Sequence, residues 1–188
     1  RRRESPKTAP RSQASAAPAP AETRKDFTMA KALDNVRRIY LEGIAGGAAR
    51  EAVLKYTGHR YTQHSTGVGD GAEGFLAFFE PFVERNPKRE IEIVRIFEDG
   101  PWVYCRAYQS LNDGAARWVT MDMFYTDADG LILEHWDTIA AYVAETASGN
   151  DMVGGAQTVG LSADTQANKA LVLEYTKQVR QEGDVTNL

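Results

Sequence analysis

Residues 118–142 read WVTMDMFYTDADGLILEHWDTIAAY, two runs in which apolar and polar residues alternate on either side of Asp127-Ala128-Asp129-Gly130. An alternation of period two is typical of β-strands, and Asp and Gly are the residues that turns favour. We therefore predict a β-hairpin with strands at 118–126 and 131–142. A connection this short requires that the two strands run antiparallel as neighbours.

A four-residue loop would also set the pairing across this hairpin. We expect the opposed pairs Thr126–Leu131, Phe124–Leu133, Asp122–His135 and Thr120–Asp137. Because alternate residues of a strand point to the same face, Asp122, His135 and Asp137 should then lie together, with Trp118, Phe124 and Leu133 beside them. A loop with one residue more or fewer would change the pairing but keep His135 and Asp137 on one face.

Two carboxylates and an imidazole among apolar residues indicate a catalytic site. Burying such groups costs free energy unless they have partners or a role, and acid–base catalysis uses these side-chain types. The alternative is that the face is open to solvent and that His135 only pairs with Asp122 across the strands.

The residues before this hairpin predict two more strands, at 91–96 and 102–111, with a turn at Asp99-Gly100-Pro101 between them. Short turns make these four strands an antiparallel meander. The elements predicted before it are an amphipathic helix carrying Leu33, Val36, Tyr40 and Ile44, a short helix at 48–56 and an extended segment at 60–65. Helices followed by a meander favour an α+β fold with the helices on one face of the sheet.

The strongest helix signal is an apolar stripe at helical spacing, formed by Phe75, Phe78, Phe79, Phe82 and Val83. Pro81 lies inside this pattern and predicts a kink or an early break. We interpret the stripe mainly as core. Its phenylalanines can also bound a cavity if the helix covers one.

The ends of the chain differ from its middle. Residues 1–28 are rich in Arg, Pro, Ser and Ala without apolar periodicity, so we predict a disordered tail. Residues 29–147 form the predicted domain, and the Gly- and Ser-rich residues 148–164 a linker. Residues 165–188 predict a helix, which is either the first helix of a truncated second repeat or a C-terminal helix that docks on the domain.

Composition excludes several classes of protein. The chain has 188 residues and a net charge of −4, with +4 in residues 1–26 and therefore −8 in the rest. An acidic body argues against a nucleic-acid surface, and no apolar run is long enough for a membrane span. Cys105 is the only cysteine, which excludes an intrachain disulfide and fits a reducing compartment, so we expect a cytoplasmic protein.

Two other motifs are weak. Residues 69–74, GDGAEG, match the dinucleotide-binding pattern G-x-G-x-x-G, but Asp70 and Glu73 would repel a pyrophosphate and antiparallel strands follow. A metal site could use His64, His135 and one carboxylate, but no compact ligand spacing supports it. We therefore expect neither a cofactor nor a metal.

Two blocks of residues form a recognisable signature. The first block is YTQH at 61–64 with DG at 70–71, GF at 74–75 and FF at 78–79, and the second is DMF at 122–124 with DG at 129–130 and EHWD at 134–137. Together they resemble the signature of the SnoaL-like polyketide cyclases, within the nuclear transport factor 2-like superfamily. The resemblance covers about residues 32–142. It implies a cone of helices wrapped on a strongly bent antiparallel sheet, with a deep pocket and a homodimer formed through the sheet.

The resemblance also implies roles for single residues. In the cyclases an aspartate near the end of the last hairpin is the acid/base of an intramolecular aldol condensation, and that position matches Asp137. A cyclase histidine on the preceding strand corresponds to Asp122 here, which puts cyclase activity in doubt. Some members carry a second such domain in tandem. The superfamily also includes isomerases, dehydratases, epoxide hydrolases and pure binders.

Together these observations predict a cofactor-free lyase, cyclase or isomerase that acts on a small hydrophobic carbonyl compound. Asp137 would remove a proton, and His135, or His64 reaching in from its loop, would donate one while Asp122 orients His135. The predicted substrate-binding walls are Tyr61, Phe75, Phe79, Trp118 and Phe124. The alternative function is a non-catalytic module for ligand binding or dimerisation.

Overall fold

The computed structural model describes residues 29–156, 158, 160 and 162–186, so the predicted disordered tail lies outside the described residues. The helical elements are α1 (Met29–Arg38) continued by a π-helical segment (Ile39–Ala45), α2 (Ala49–Tyr56), α3 (Gly71–Arg85), and α4 (Thr165–Tyr175) continued by a second π-helical segment (Thr176–Gln181). The strands are β1 (Thr57–Gln63), β2 (Arg89–Asp99), β3 (Trp102–Leu111), β4 (Ala116–Thr126) and β5 (Ile132–Ala141). The predicted α+β architecture, with N-terminal helices on a curved antiparallel sheet, is confirmed.

The sheet has the strand order β1-β5-β4-β3-β2. Strands β2 to β5 form the predicted antiparallel meander. Strand β1 joins it at the β5 edge in parallel, with Thr62 paired to Glu134 and Gln63 paired to His135. The sequence predicted an extended segment here but not its partner, because the two strands are separated by most of the domain.

The helices cover the inner face of the sheet, and the hydrophobic core lies between them. Val36 of α1 and Val53 of α2 are fully buried, as is Val103 of β3. A kink or an early break was predicted at Pro81. Helix α3 runs on to Arg85, so the break does not occur. Phe75 and Phe82 are buried on the two sides of the proline. Their burial outweighs the backbone hydrogen bond that proline cannot donate.

The β4–β5 pairing differs from the prediction by two residues. Asp122 opposes Asp137 and Phe124 opposes His135. One residue of the difference comes from the turn, since Thr126 opposes Ile132, and the other from an irregularity between Tyr125 and Thr126. The expected Asp122–His135 and Thr120–Asp137 pairs are therefore wrong. Because side chains alternate with a period of two, a slip of two residues leaves Asp122, His135 and Asp137 on the face that was predicted. Leu133 was expected beside them, but at the irregularity Ile132 joins the core cluster in its place.

The turn between β4 and β5 docks directly on α1. Gly130 has φ +78°, and a Cβ at this position would lie 2.7 Å from the backbone nitrogen of Ala32. The Asn35 side-chain amide donates a hydrogen bond of 2.8 Å to the Gly130 carbonyl oxygen. Glycine is required here both for the left-handed backbone and for the close approach of the helix.

The C-terminal part of the chain follows the outer face of the sheet and then leaves it. Arg106 of β3 donates to the Met152 carbonyl oxygen, and the Tyr142 hydroxyl donates to Asp151 over 2.9 Å. Helix α4 has no buried residue, and Leu171 and Leu173 are more than 60% exposed. None of the described helices is long and apolar enough to cross a membrane.

Candidate active site

A cavity of about 320 Å³ lies between the inner face of the sheet and the helices. The residues that line it come from the first π-helical segment, β1, the β1–α3 loop, α3, β3, β4 and β5. The lining includes eight of the nine residues predicted for the site: Tyr61, Phe75, Phe79, Trp118, Asp122, Phe124, His135 and Asp137. A volume of this size lies at the lower end of the range typical of small-molecule sites.

Three ionisable side chains meet in this cavity. His135 Nε2 lies 3.2 Å from Asp122 Oδ1, and both side chains are buried. Asp137 opposes Asp122 on the neighbouring strand and is only partly buried. One ligating atom from each of the three residues lies within 4.8 Å of the other two. The register that the sequence did not predict therefore still brings the predicted trio together.

Gln63 belongs to the same site, and sequence reasoning did not assign it. Its Oε1 lies 2.9 Å from His135 Nδ1, and its Nε2 donates a 2.8 Å hydrogen bond to the Tyr61 hydroxyl oxygen. The signal for Gln63 was its place two residues after Tyr61, which puts both side chains on one face of a strand. Its contact with His135 depends on the parallel β1–β5 pairing, and that pairing has no local signature.

The walls of the cavity are aromatic. The Phe75 and Phe79 rings lie 4.3 Å apart between centroids, and the Tyr61 ring meets Phe75 edge-on at 6.1 Å. Phe124 stacks on the His135 imidazole at 4.5 Å with an angle of 21° between the planes. Phe124 therefore packs against the imidazole, and the other rings give the cavity apolar walls.

His64 lies elsewhere. Its ring is exposed and stacks on the Trp136 indole at 4.6 Å between centroids with the planes 3° apart, and it is not part of the cavity lining. Trp136 neighbours His135 on β5 and so faces the other side of the sheet. We expected His64 to reach into the pocket as a proton donor, but the structure places its ring outside the cavity. Its backbone N–H instead donates to the His135 carbonyl oxygen over 2.9 Å.

Burial keeps the other ionisable groups of the site neutral. The pKa of Tyr61 is raised well above its usual value, first by burial and then by the negative charges of Asp122 and Asp137. Burial and the charge of Asp122 raise the pKa of Tyr40 and of the Cys105 thiol in the same way. These groups stay protonated at neutral pH, so Cys105 is not a reactive thiolate.

The carboxylates of the site have few hydrogen-bond donors or positive charges around them. Asp122 Oδ2 is buried without a hydrogen-bond partner within the described part of the chain, and so is the Thr120 hydroxyl. No lysine or arginine is among the described residues that line the cavity. Asp122, His135 and Asp137 are chemically able to ligate a divalent cation. The set considered from the sequence, which included His64, is not assembled.

The glycines of the G-x-G-x-x-G match have a packing role. A Cβ on Gly74 would lie 2.1 Å from the Gly69 carbonyl, so the loop folds back on the first turn of α3. Asp70 is the residue before this helix, and its carboxylate accepts a hydrogen bond of 2.9 Å from the Gln63 backbone N–H.

The sequence model of the SnoaL-like domain matches residues 36–135, just over half of the chain. The chain belongs to the SnoaL-like domain family. The match runs from the end of α1 to the first half of β5, and it includes Asp122 and His135 but not Asp137. No curated protein sequence matches the chain.

Solved structures share the fold of this SnoaL-like domain. A candidate polyketide cyclase from Bacillus cereus ATCC 10987 has 19% identity and a TM-score of 0.51, over 58% of this chain and 74% of its own. A candidate SnoaL-like polyketide cyclase from Jannaschia sp. CCS1 has 19% identity and a TM-score of 0.50, over 63% and 91%. AclR, a candidate hydroxylase from Streptomyces galilaeus, has 15% identity and a TM-score of 0.50, over 60% and 91%. At these identities the likeness shows the fold and leaves the reaction open.

Proposed function

We propose that this SnoaL-like domain is an enzyme that performs cofactor-independent acid–base chemistry on a small hydrophobic carbonyl compound. The observation that carries the proposal is the meeting of Asp122, His135 and Asp137 in an otherwise mainly apolar cavity. Burying these groups lowers the stability of the fold, so their presence in the cavity indicates a role other than folding. The aromatic walls fit a flat apolar ligand, and the polar trio provides sites for proton transfer.

Asp137 is the general base in this proposal. It is the most exposed member of the trio, and it stands outside the hydrogen bond between Asp122 and His135. Its carboxylate would take a proton from the carbon next to a carbonyl group. The electron pair of the broken C–H bond then moves into an enolate, whose negative charge lies on the carbonyl oxygen.

His135 is the proton donor, and Asp122 orients it. The ring would give a proton to the enolate oxygen from Nε2, the nitrogen that faces Asp122 Oδ1. In an aldol-type cyclisation the enol carbon bonds to a second carbonyl carbon and the enol proton returns to His135. The new alkoxide then takes the proton held by Asp137, so both groups end in their starting states. Proton return at another carbon would give isomerisation instead.

The family resemblance also leads us to propose a homodimer formed through the outer face of the sheet. This face exposes large apolar side chains in the described chain, among them Phe97 at 57% and Met121 at 51%. Exposed apolar surface of this kind favours a protein partner.

Deuterium uptake tests the catalytic proposal. A panel of β-dicarbonyl compounds is incubated in deuterated buffer with the wild type and with Asp137→Asn, and α-proton exchange is followed by NMR. We expect the substitution to lower the exchange rate by about 10²–10⁴-fold, the usual contribution of a general base. Asp129→Asn is the matched control, because this exposed aspartate lies in the turn of the same hairpin and outside the cavity.

Exchange that is equal in Asp137→Asn and in the wild type would contradict the assignment of the base. A wild type that binds members of the panel saturably without exchanging their protons would favour the alternative, a ligand-binding module of the same fold. Circular dichroism of both variants shows whether a loss of exchange arises from unfolding.

A further inference from the structure

Both ring nitrogens of His135 have a partner. Nε2 faces Asp122 Oδ1 at 3.2 Å, and Nδ1 faces Gln63 Oε1 at 2.9 Å. An amide oxygen can only accept a hydrogen bond, so the contact with Gln63 requires a proton on Nδ1. The proton that is free to move during a reaction is then the one between Nε2 and Asp122.

The fold holds Gln63 against this ring. The parallel register pairs the backbones of Gln63 and His135, and the hydrogen bond of 2.9 Å from His64 N to His135 O continues that ladder. The Gln63 amide nitrogen donates to the hydroxyl oxygen of Tyr61, which is 6% exposed and packed against Phe75. A hydrogen-bond chain therefore runs from Tyr61 through Gln63 and His135 to Asp122.

We propose that Gln63 is a positioning residue that keeps the proton of His135 on Nδ1 and so makes the Nε2–Asp122 edge the one that exchanges protons with a bound ligand. The second half of this statement rests on the proposed function. The first half concerns the protein alone. A reversed Gln63 amide would present its N–H to Nδ1 and require the opposite tautomer, so the two arrangements can be told apart by experiment.

The tautomer of His135 decides how the ring interacts with the ionisable groups around it. The ionisable groups around this site are Tyr40 from the π-helical segment, Tyr61 from β1, Cys105 from β3, Asp122 from β4 and Asp137 from β5. No lysine or arginine belongs to the described lining of the cavity, and a proton on Nε2 would donate a hydrogen bond to the Asp122 carboxylate. A bare Nε2 would instead set its lone pair against the lone pairs of a carboxylate.

The test is long-range ¹H–¹⁵N NMR of the ligand-free protein labelled at histidine nitrogen. The chain has three histidines, His59 is exposed and serves as the reference, and His135→Gln identifies the signals of His135. We expect Nδ1 to stay protonated across the titration while only the Nε2 signal moves. In Gln63→Leu, which removes the acceptor, the tautomer ratio should shift about tenfold toward the Nε2–H form. Gln63→Glu retains an acceptor and should restore the Nδ1 proton.

A wild-type spectrum in which Nδ1 is the bare nitrogen of the neutral ring would overturn the proposal, and it requires no variant. An unchanged tautomer ratio in Gln63→Leu would also overturn it. Because no ligand is present, these outcomes do not depend on whether Asp137 acts as a base. The proposed function is tested separately by the exchange rate of Asp137→Asn.

Discussion

The two faces of the β4–β5 hairpin differ in how far their side chains are exposed to solvent. On the inner face Asp122, Phe124 and His135 are at least nine-tenths buried. On the outer face Met121 is 51% exposed, and Thr138 is exposed as well. The same alternation generates both faces, so the difference comes from the helices that cover one of them.

The distribution of polarity departs from the usual one at several positions. An antiparallel sheet with one face on the core normally buries apolar residues and exposes polar ones. Here the covered face holds ionisable groups, while the outer face carries exposed Phe97 stacked on Tyr104 at 5.1 Å. The inner face therefore indicates a ligand site, and the outer face supports the proposed homodimer.

Two matched Phe→Ala substitutions test this difference and have the largest expected effect. Phe124 is 1% exposed and lies on the inner face, so Phe124→Ala should lower the free energy of unfolding by about 3–5 kcal/mol through lost burial and a cavity. Phe97 is 57% exposed on the outer face, so Phe97→Ala should cost less than about 1 kcal/mol in a monomer. Chemical denaturation measures both values.

If Phe97→Ala also lowers the free energy of unfolding by several kcal/mol, about as much as Phe124→Ala does, then the outer face is covered in solution. Sedimentation velocity of the wild type and of this variant then shows whether a second copy of the chain covers it. Equal sedimentation of both proteins as monomers would contradict the homodimer.

Alkaline pH should lower the free energy of unfolding through the ionisation of Tyr61 on the inner face. The expected effect is smaller than that of Phe124→Ala. Its pKa is raised in the folded protein by burial and by Asp122 and Asp137. The unfolded chain releases this proton above pH about 10 while the folded chain retains it, so stability falls as pH rises. The slope contributed is about 1.4 kcal/mol per pH unit above that point.

The change that tests this effect is Tyr61→Phe, which removes the ionisable hydroxyl. The free energy of unfolding of wild type and variant is compared by urea denaturation from pH 7 to 11. Their difference should be constant below pH about 9 and change in favour of the variant above pH about 10. Parallel curves over the whole range would show that the tyrosine does not govern alkaline stability.

The smallest effect is expected for helix α4. Its apolar residues are exposed in the described chain, and the contacts of residues 151–156 with the sheet lie before it. Removing residues 165–188 should therefore change the free energy of unfolding by no more than about 0.5 kcal/mol. This result would agree with a helix that starts a second repeat. A loss comparable to that of Phe124→Ala would favour the docked C-terminal helix.

Several parts of the fold could be predicted because they have local signatures. The alternation in 118–142 gave the hairpin and the shared face of His135 and Asp137, and β3 begins and ends at the residues predicted. Boundaries of the helices were close for the same reason. The alternation does not fix the pairing partners, since a slip of two residues changes every opposed pair and leaves the pattern unchanged.

Other features had no local signature. Gln63 meets His135 only because β1 and β5 pair across a separation of 72 residues. His64 was expected in the pocket because it precedes a loop, but its ring found a partner in Trp136 on the other face. Helix α3 continues past Pro81 because burial on both sides stabilises it, and a propensity argument does not include that burial.

The helices, the meander and the set of side chains on each strand face can be read from the amino-acid sequence, because they follow from periods of 3.6 and 2 along the chain. The packing of the folded chain establishes which face is covered, which residues oppose one another and which nitrogen of His135 meets Gln63. Those outcomes depend on contacts between segments far apart in the chain, and their free energy appears only when the segments pack together.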